Sequence, residues 1–134
     1  MEIRLAARSS ELGRMRAWVS EAAALLGCDG KSRFEFVVAI NEAVTNAIRH
    51  GTPADDGTIG VRLESDGGAI VCSVCDGGPF VPPSQRSDPT SDVGGRGFAF
   101  MAALTDELEL VVNPGATVVR LRKQRTAEAH AGDA

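Results

Sequence analysis

The chain has 134 residues, a hydrophobic fraction of 43% and a net charge of −4. This length predicts one domain, which we place at residues 1–124, followed by a disordered tail over 125–134. The acidic balance argues against a protein whose main ligand is a nucleic-acid backbone, because that ligand requires a basic face. No apolar run reaches membrane-spanning length and the first residues lack the order of a signal peptide, so we expect a cytoplasmic protein.

The first part of the chain is predicted to form one strand and two helices. Alternating apolar residues predict a short edge strand over 2–7. Helical spacing then predicts a first amphipathic helix over 11–26, ended by Gly27, and a second helix over 31–50, ended by Gly51.

The second helix carries a polar ridge beside its apolar stripe. Glu42, Asn46 and His50 follow one another at intervals of four residues, which is a rotation of about 40° and a rise of about 6 Å. Asn46 offers an amide oxygen, which suits Mg²⁺ held beside phosphate oxygens. Glu42 is placed to accept a proton from a nucleophile that attacks a phosphate. For this stretch alone, a solvated helix face is the simpler alternative.

Two strands joined by a turn follow, over 59–63 and 69–75. The second has a continuous apolar run and is expected to be central, with both faces buried. Cys72 and Cys75 have the spacing of a metal motif. On a strand, however, an odd separation directs two side chains to opposite faces, so we expect no metal site there.

A carboxylate followed by two glycines ends the second of these strands. Asp76 can accept a hydrogen bond from the exocyclic amine of adenine, which guanine replaces with an acceptor oxygen. Gly77 and Gly78 allow a ligand to approach the backbone closely. A plain Asp-Gly turn is the alternative interpretation.

The segment 79–94 has no periodicity and is predicted to be a functional lid. It leads into Gly94-Gly95-Arg96-Gly97, a turn that opens an apolar helix ending near Leu104. Such a turn presents backbone N–H groups to a phosphate, and Arg96 adds a charged donor, although a flexible hinge is also consistent with the glycines. Alternation then predicts strands over 108–112 and 117–121, with polar residues that fray from Lys123 onward.

The order of these motifs resembles the GHKL, or Bergerat-fold, ATPase domain of gyrase, histidine kinases and MutL. The motifs are Glu42, Asn46 and His50-Gly51, then Asp76-Gly77-Gly78, Gly95-Arg96-Gly97 and Gly115-Ala116-Thr117. As a compact form of this domain, the chain is similar to anti-sigma factor serine kinases of the RsbW and SpoIIAB type. This resemblance implies an α+β fold, a two-layer sandwich whose mixed, mostly antiparallel sheet carries helices on one face.

The resemblance also implies ATP and Mg²⁺ as cofactors and a set of site residues. Asn46 is similar to the metal ligand of the family and Glu42 to its general base. The implied nucleotide contacts are Asn46, His50, Asp76 at the adenine amine, Gly78 against the base, Gly95 and Gly97 along the phosphates, Arg96 near the outer phosphate, and Thr117 in support of Asp76.

The function implied is that of a serine protein kinase acting as an anti-sigma factor. Such a protein phosphorylates an anti-anti-sigma factor of the STAS type and otherwise holds a sigma factor inactive, often as a homodimer, with no direct nucleic-acid or membrane partner. Two alternatives are a regulatory module that binds ATP without transferring phosphate, and an unrelated α/β domain with glycine-rich loops.

Overall fold

The computed structural model describes residues 1–50, 57–76, 93–113 and 116–125. The elements are, in chain order, β1 (Glu2–Ala6), α1 (Leu12–Leu25), α2 (Gly30–His50), β2 (Thr58–Asp66), β3 (Ala69–Asp76), α3 (Val93–Leu104), β4 (Glu107–Asn113) and β5 (Ala116–Gln124). A 3-10 turn, Ser9–Glu11, precedes α1. Each predicted helix and strand is therefore present. Residues 79–92 of the predicted lid and residues 126–134 of the predicted tail lie outside the described residues.

The strands form one sheet in the order β1-β2-β3-β5-β4, and each neighbouring pair is antiparallel. The predicted α+β class is thus confirmed, whereas the sheet is antiparallel among the described strands rather than mixed. The last strand lies between β3 and β4. Its register places Thr117 opposite Asp76 and Leu121 opposite Cys72.

Alternation along the strands separates an inner, apolar face of the sheet from an outer, solvent-facing one. Val61 pairs with Val74 and Leu63 pairs with Cys72, and these four side chains are buried. Cys75 lies on the outer face and is half-buried, which confirms that the two cysteines point in opposite directions. The predicted burial of both faces of β3 is wrong, because no helix covers its outer side within the described residues.

The three helices lie on the inner face, with α2 at the centre. It packs against β3, β5, α1 and α3, and its most buried residues follow a helical repeat: Phe36, Ala39, Ile40, Ala43 and Val44. Gly27, with φ of 94°, ends α1 as predicted, since this left-handed conformation favours glycine. Among the described helices, none combines the length and apolar character needed to cross a bilayer.

Candidate functional site

The second half of α2 brings two predicted site residues to the border of its buried face. Glu42 and Asn46 are both half-buried and one turn apart. The Nδ2 atom of Asn46 is itself buried and forms no hydrogen bond with any described residue. A buried polar atom without a partner costs about 1–3 kcal/mol, so this amide fits a polar ligand. Rotation about χ2 exchanges its oxygen and nitrogen, so either atom can face that ligand.

A carboxylate and a hydroxyl lie side by side on the inner face of the sheet. Asp76, the last residue of β3, is 3% exposed, and Thr117, opposite it on β5, is 2% exposed. Both continue the alternation that buries Val74 and directs Val119 toward the core. The Oγ1 atom of Thr117 forms no hydrogen bond within the described part of the chain. A buried hydroxyl without a hydrogen-bond partner is costly, so this group suits a polar ligand.

A buried lysine shows which end of the sheet each helix approaches. The Nζ atom of Lys123 donates hydrogen bonds to Oε1 of Glu35, at 2.8 Å, and to the carbonyl oxygen of Leu104, at 2.7 Å. Lys123 lies six residues beyond Thr117 on β5, which on a strand is roughly 20 Å. Glu35 of α2 and the last residue of α3 therefore lie at the end of the sheet opposite Asp76.

From that contact, α2 runs back toward the end of the sheet that holds Asp76. The helix lies against β3 and β5, and Asn46 is eleven residues after Glu35, a rise of about 16 Å. This rise is close to the length of strand between Lys123 and Thr117. Asp76 and Thr117 therefore lie at one end of the inner face, and the direction of α2 carries Asn46 toward that end.

The first turn of α3 is directed to the same end. The helix packs against α2, and its last residue, Leu104, is held at Lys123. Gly97 and Gly95 precede Leu104 by about 10 and 14 Å of helix. The sequence predicts these glycines in a turn ahead of the helix, whereas the structure has them inside its first turns. The first N–H groups of a helix have no internal partner and are suited to an anion, so the N–H group of Gly95 is still a candidate phosphate contact.

The remaining predicted positions fall outside what the structure describes. Gly78 belongs to the segment 77–92, and the side chains of His50 and Arg96 are not described. Within the described ranges, no three His, Cys, Asp or Glu side chains form a group able to hold a metal ion. Burial raises the pKa of the Cys72 thiol far above its usual range, so that thiol is a poor ligand.

Sequence reasoning missed the pair formed by Lys123 and Glu35. Lys123 is 9% exposed and belongs to β5, so the prediction that the chain frays from this residue is wrong. The missed signal was the alternation of Thr117, Val119 and Leu121, which places the next inward position at residue 123. The hydrogen bond from Lys123 also lowers the pKa of Glu35 below its usual value.

Comparison with known proteins identifies the class to which this fold and site belong. Residues 5–123 match the histidine kinase-like ATPase domain. Because this match covers most of the sequence, the chain belongs to the histidine kinase-like ATPase domain family. The buried polar atoms of Asn46 and Thr117, which have no hydrogen-bond partner in the described part of the chain, fit a polar ligand such as a nucleotide.

The relatives narrow the resemblance to anti-sigma factors. The serine-protein kinase RsbW of Bacillus pumilus is 30% identical over 132 residues, covering 88% of this chain and 82% of that protein. The anti-sigma F factor of Thermoanaerobacter pseudethanolicus is 30% identical over 131 residues, covering 92% of each. The resemblance that the sequence motifs indicate is thereby confirmed.

Solved structures support the same fold. The RsbU and RsbW domains of a Mycobacterium tuberculosis protein superpose with a TM-score of 0.71 at 28% identity, and the alignment covers 93% of this chain and 31% of that longer chain. The histidine kinase domain of a blue-light activated kinase from Erythrobacter litoralis gives a TM-score of 0.57 at 17% identity, covering 89% of this chain and 61% of that chain. This second likeness concerns the fold alone.

Proposed function

We propose that this protein is an ATP-dependent serine protein kinase that acts as an anti-sigma factor. In this role it phosphorylates an anti-anti-sigma factor in the cytoplasm and otherwise sequesters a sigma factor. The names of its relatives support this assignment. The observation that carries it is the burial of two polar side chains that face each other on the inner side of the sheet, Asp76 and Thr117, together with the half-buried Asn46 on α2.

Asp76 and Thr117 form the adenine end of the proposed site. The carboxylate accepts a hydrogen bond from the exocyclic amine of adenine, and guanine has an acceptor oxygen at the same position of the ring. The Thr117 hydroxyl gains a partner in the same network, since it has none among the described residues. Gly78 would lie against the base, where the lack of a side chain permits close approach.

Asn46 and the start of α3 form the phosphate end. The Asn46 amide oxygen is the proposed Mg²⁺ ligand, and bound Mg²⁺ would neutralise phosphate charge. The N–H group of Gly95, with the side chains of Arg96 and His50, would hold the phosphates, and Gly97 would line them without a side chain in the way. Glu42, one turn before Asn46, is the proposed general base that takes the proton of the partner's serine hydroxyl.

Replacement of the proposed base tests the assignment. Glu42→Gln should bind ATP with Mg²⁺ as tightly as the wild type, because the base has no task until transfer, and should lose radiolabel transfer to a purified anti-anti-sigma factor. Asn46→Ala should instead lose the part of the ATP affinity that depends on Mg²⁺, measured calorimetrically with and without EDTA. Glu21→Gln on the exposed side of α1 is a matched charge control.

The outcomes separate the candidate functions. A wild-type protein that does not bind ATP contradicts the whole assignment. The protein could also bind ATP and bind a sigma factor in a nucleotide-dependent way, yet transfer no phosphate to an anti-anti-sigma factor. This result would favour a regulatory module that only binds ATP. If Glu42→Gln still transfers phosphate to the anti-anti-sigma factor, Glu42 is not the general base, but the kinase assignment is unaffected. Sedimentation of the same samples would test the expected homodimer.

A further inference from the structure

Three elements meet at the end of the inner layer farthest from the proposed nucleotide site. Lys123 of β5 donates to Oε1 of Glu35 in α2 and to the last carbonyl of α3, at Leu104. The Lys123 side chain is 11% exposed and that of Glu35 is 25% exposed. A charged side chain in such surroundings is rare unless it is paired.

Stability is a weak explanation for this arrangement. Replacing a buried ion pair with apolar residues of similar volume often leaves a protein as stable or more stable, because the desolvation of two charges offsets their attraction. The end of α3 is also held by apolar packing, since Met101 is fully buried and Leu104 packs against the core. The directionality of the two bonds is the property that apolar residues would not supply.

Each of the three elements carries a proposed site residue at its opposite end. Thr117 lies on β5, Asn46 on α2, and Gly95 and Gly97 at the start of α3. We propose that Lys123 is a positioning residue that fixes α2 and α3 along their axes against β5, and thereby sets the spacing of the nucleotide contacts. This inference rests on the proposed nucleotide site.

The chemistry of this contact suits a residue that keeps α2 and α3 from shifting along their axes. The Leu104 carbonyl is among the four that an α-helix leaves without an internal partner. The negative end of the helix dipole also stabilises a cation beside this carbonyl. Charge-assisted bonds of 2.7 and 2.8 Å tolerate little displacement. The side chain of Asp106 accepts a hydrogen bond from the backbone N–H of Gln124, which holds the turn after α3 to the same strand.

A double substitution separates positioning from stability. Lys123→Met/Glu35→Met removes both hydrogen bonds, preserves net charge and fills the site with unbranched apolar chains. The matched control is Arg120→Met/Glu109→Met, which removes an exposed ion pair from the outer face of the same strand. For each protein we would measure the unfolding free energy, the Kd for ATP with Mg²⁺, and amide hydrogen exchange over residues 98–104.

The expected result is a folded Lys123→Met/Glu35→Met variant whose Kd for ATP is raised about tenfold or more, since small displacements of binding groups have effects of this order. Its α3 amides should exchange faster, while the control matches the wild type. Wild-type affinity in the folded double variant would overturn the inference. If that variant does not fold, Lys123→Met alone takes its place, because it also removes both hydrogen bonds, and unchanged ATP affinity together with unchanged α3 exchange in it would overturn the inference equally. Failure of the wild type to bind ATP would contradict the proposed function instead.

Discussion

Asp76 and Thr117 face each other directly across β3 and β5, both on the buried side of the sheet. Their positions at the end of one strand and near the start of the other place a carboxylate and a hydroxyl together at one end of a mainly apolar surface. Side chains that are directly opposite in an antiparallel pair lie about 4.5–5.5 Å apart at Cβ. The two residues can therefore act on one ligand, and each gives a separate prediction.

Asp76→Asn should bind ATP at least about tenfold more weakly, because a hydrogen bond to a charged group contributes about 1.5–3 kcal/mol. Preference for ATP over GTP should fall as well, since an amide can also donate to the guanine oxygen. Titration calorimetry with both nucleotides measures the two effects. Glu64→Gln on the exposed part of β2 is the control, and an Asp76→Asn protein that retains full ATP preference would exclude this residue from base recognition.

Thr117→Val should have opposite effects on the free and the ATP-bound protein. The substitution removes a buried hydroxyl that has no hydrogen-bond partner among the described residues, so the melting temperature without nucleotide should stay equal or rise. The increase in melting temperature caused by ATP should shrink, because a ligand stabilises only as far as it binds the native state. Loss of stability in the free protein would show that the hydroxyl has a structural partner.

Two phenylalanines on α2 should respond very differently to truncation. Phe36 is fully buried whereas Phe34 is 68% exposed. Phe36→Ala should lower the free energy of unfolding by about 3–5 kcal/mol, and Phe34→Ala should change it by no more than about 0.5 kcal/mol. Chemical denaturation measures both. A large loss of stability in Phe34→Ala would indicate that this side chain is covered in solution, for example in a dimer.

The stability contributed by Glu35 should depend on pH. Its carboxyl pKa is lowered in the folded protein, first by the hydrogen bond from Lys123. A lowered folded pKa stabilises the protein at pH values above the unfolded pKa, and this contribution is lost as the pH falls through the folded value. The difference in unfolding free energy between the wild type and Glu35→Gln should therefore be present at pH 7 and decline below about pH 4.3. In a Lys123→Met background the decline should be much smaller.

Local patterns were sufficient to predict the helices and strands of this protein. Alternation predicts β2, a continuous apolar run predicts β3, and a 3.6-residue repeat predicts α2 with Asn46 and Glu42 on it. Asp76 is a candidate because a carboxylate at the end of an apolar strand, followed by two glycines, can accept a hydrogen bond from the adenine amine. Each of these features depends only on residues that are close together in the chain, so a single sequence is sufficient to predict it.

Contacts between residues that are distant in sequence cannot be predicted from such local patterns. Glu35 and Lys123 are 88 positions apart, and nothing in the local sequence links them. The position of β5 between β3 and β4 is likewise set by packing, and without it the opposition of Asp76 and Thr117 cannot be derived. The start of α3 was placed too late because glycines are poor helix formers, a tendency that tertiary packing overrides here.

The insertion of β5 between β3 and β4 has a consequence for synthesis of the protein on the ribosome. Until residues 116–124 have emerged, β3 has no partner on that side and Thr117 and Lys123 are missing from the inner layer. We expect nascent chains arrested before residue 116 to be protease-sensitive and unable to retain nucleotide. The protein would then gain its regulatory capacity only after nearly all of the domain has been translated.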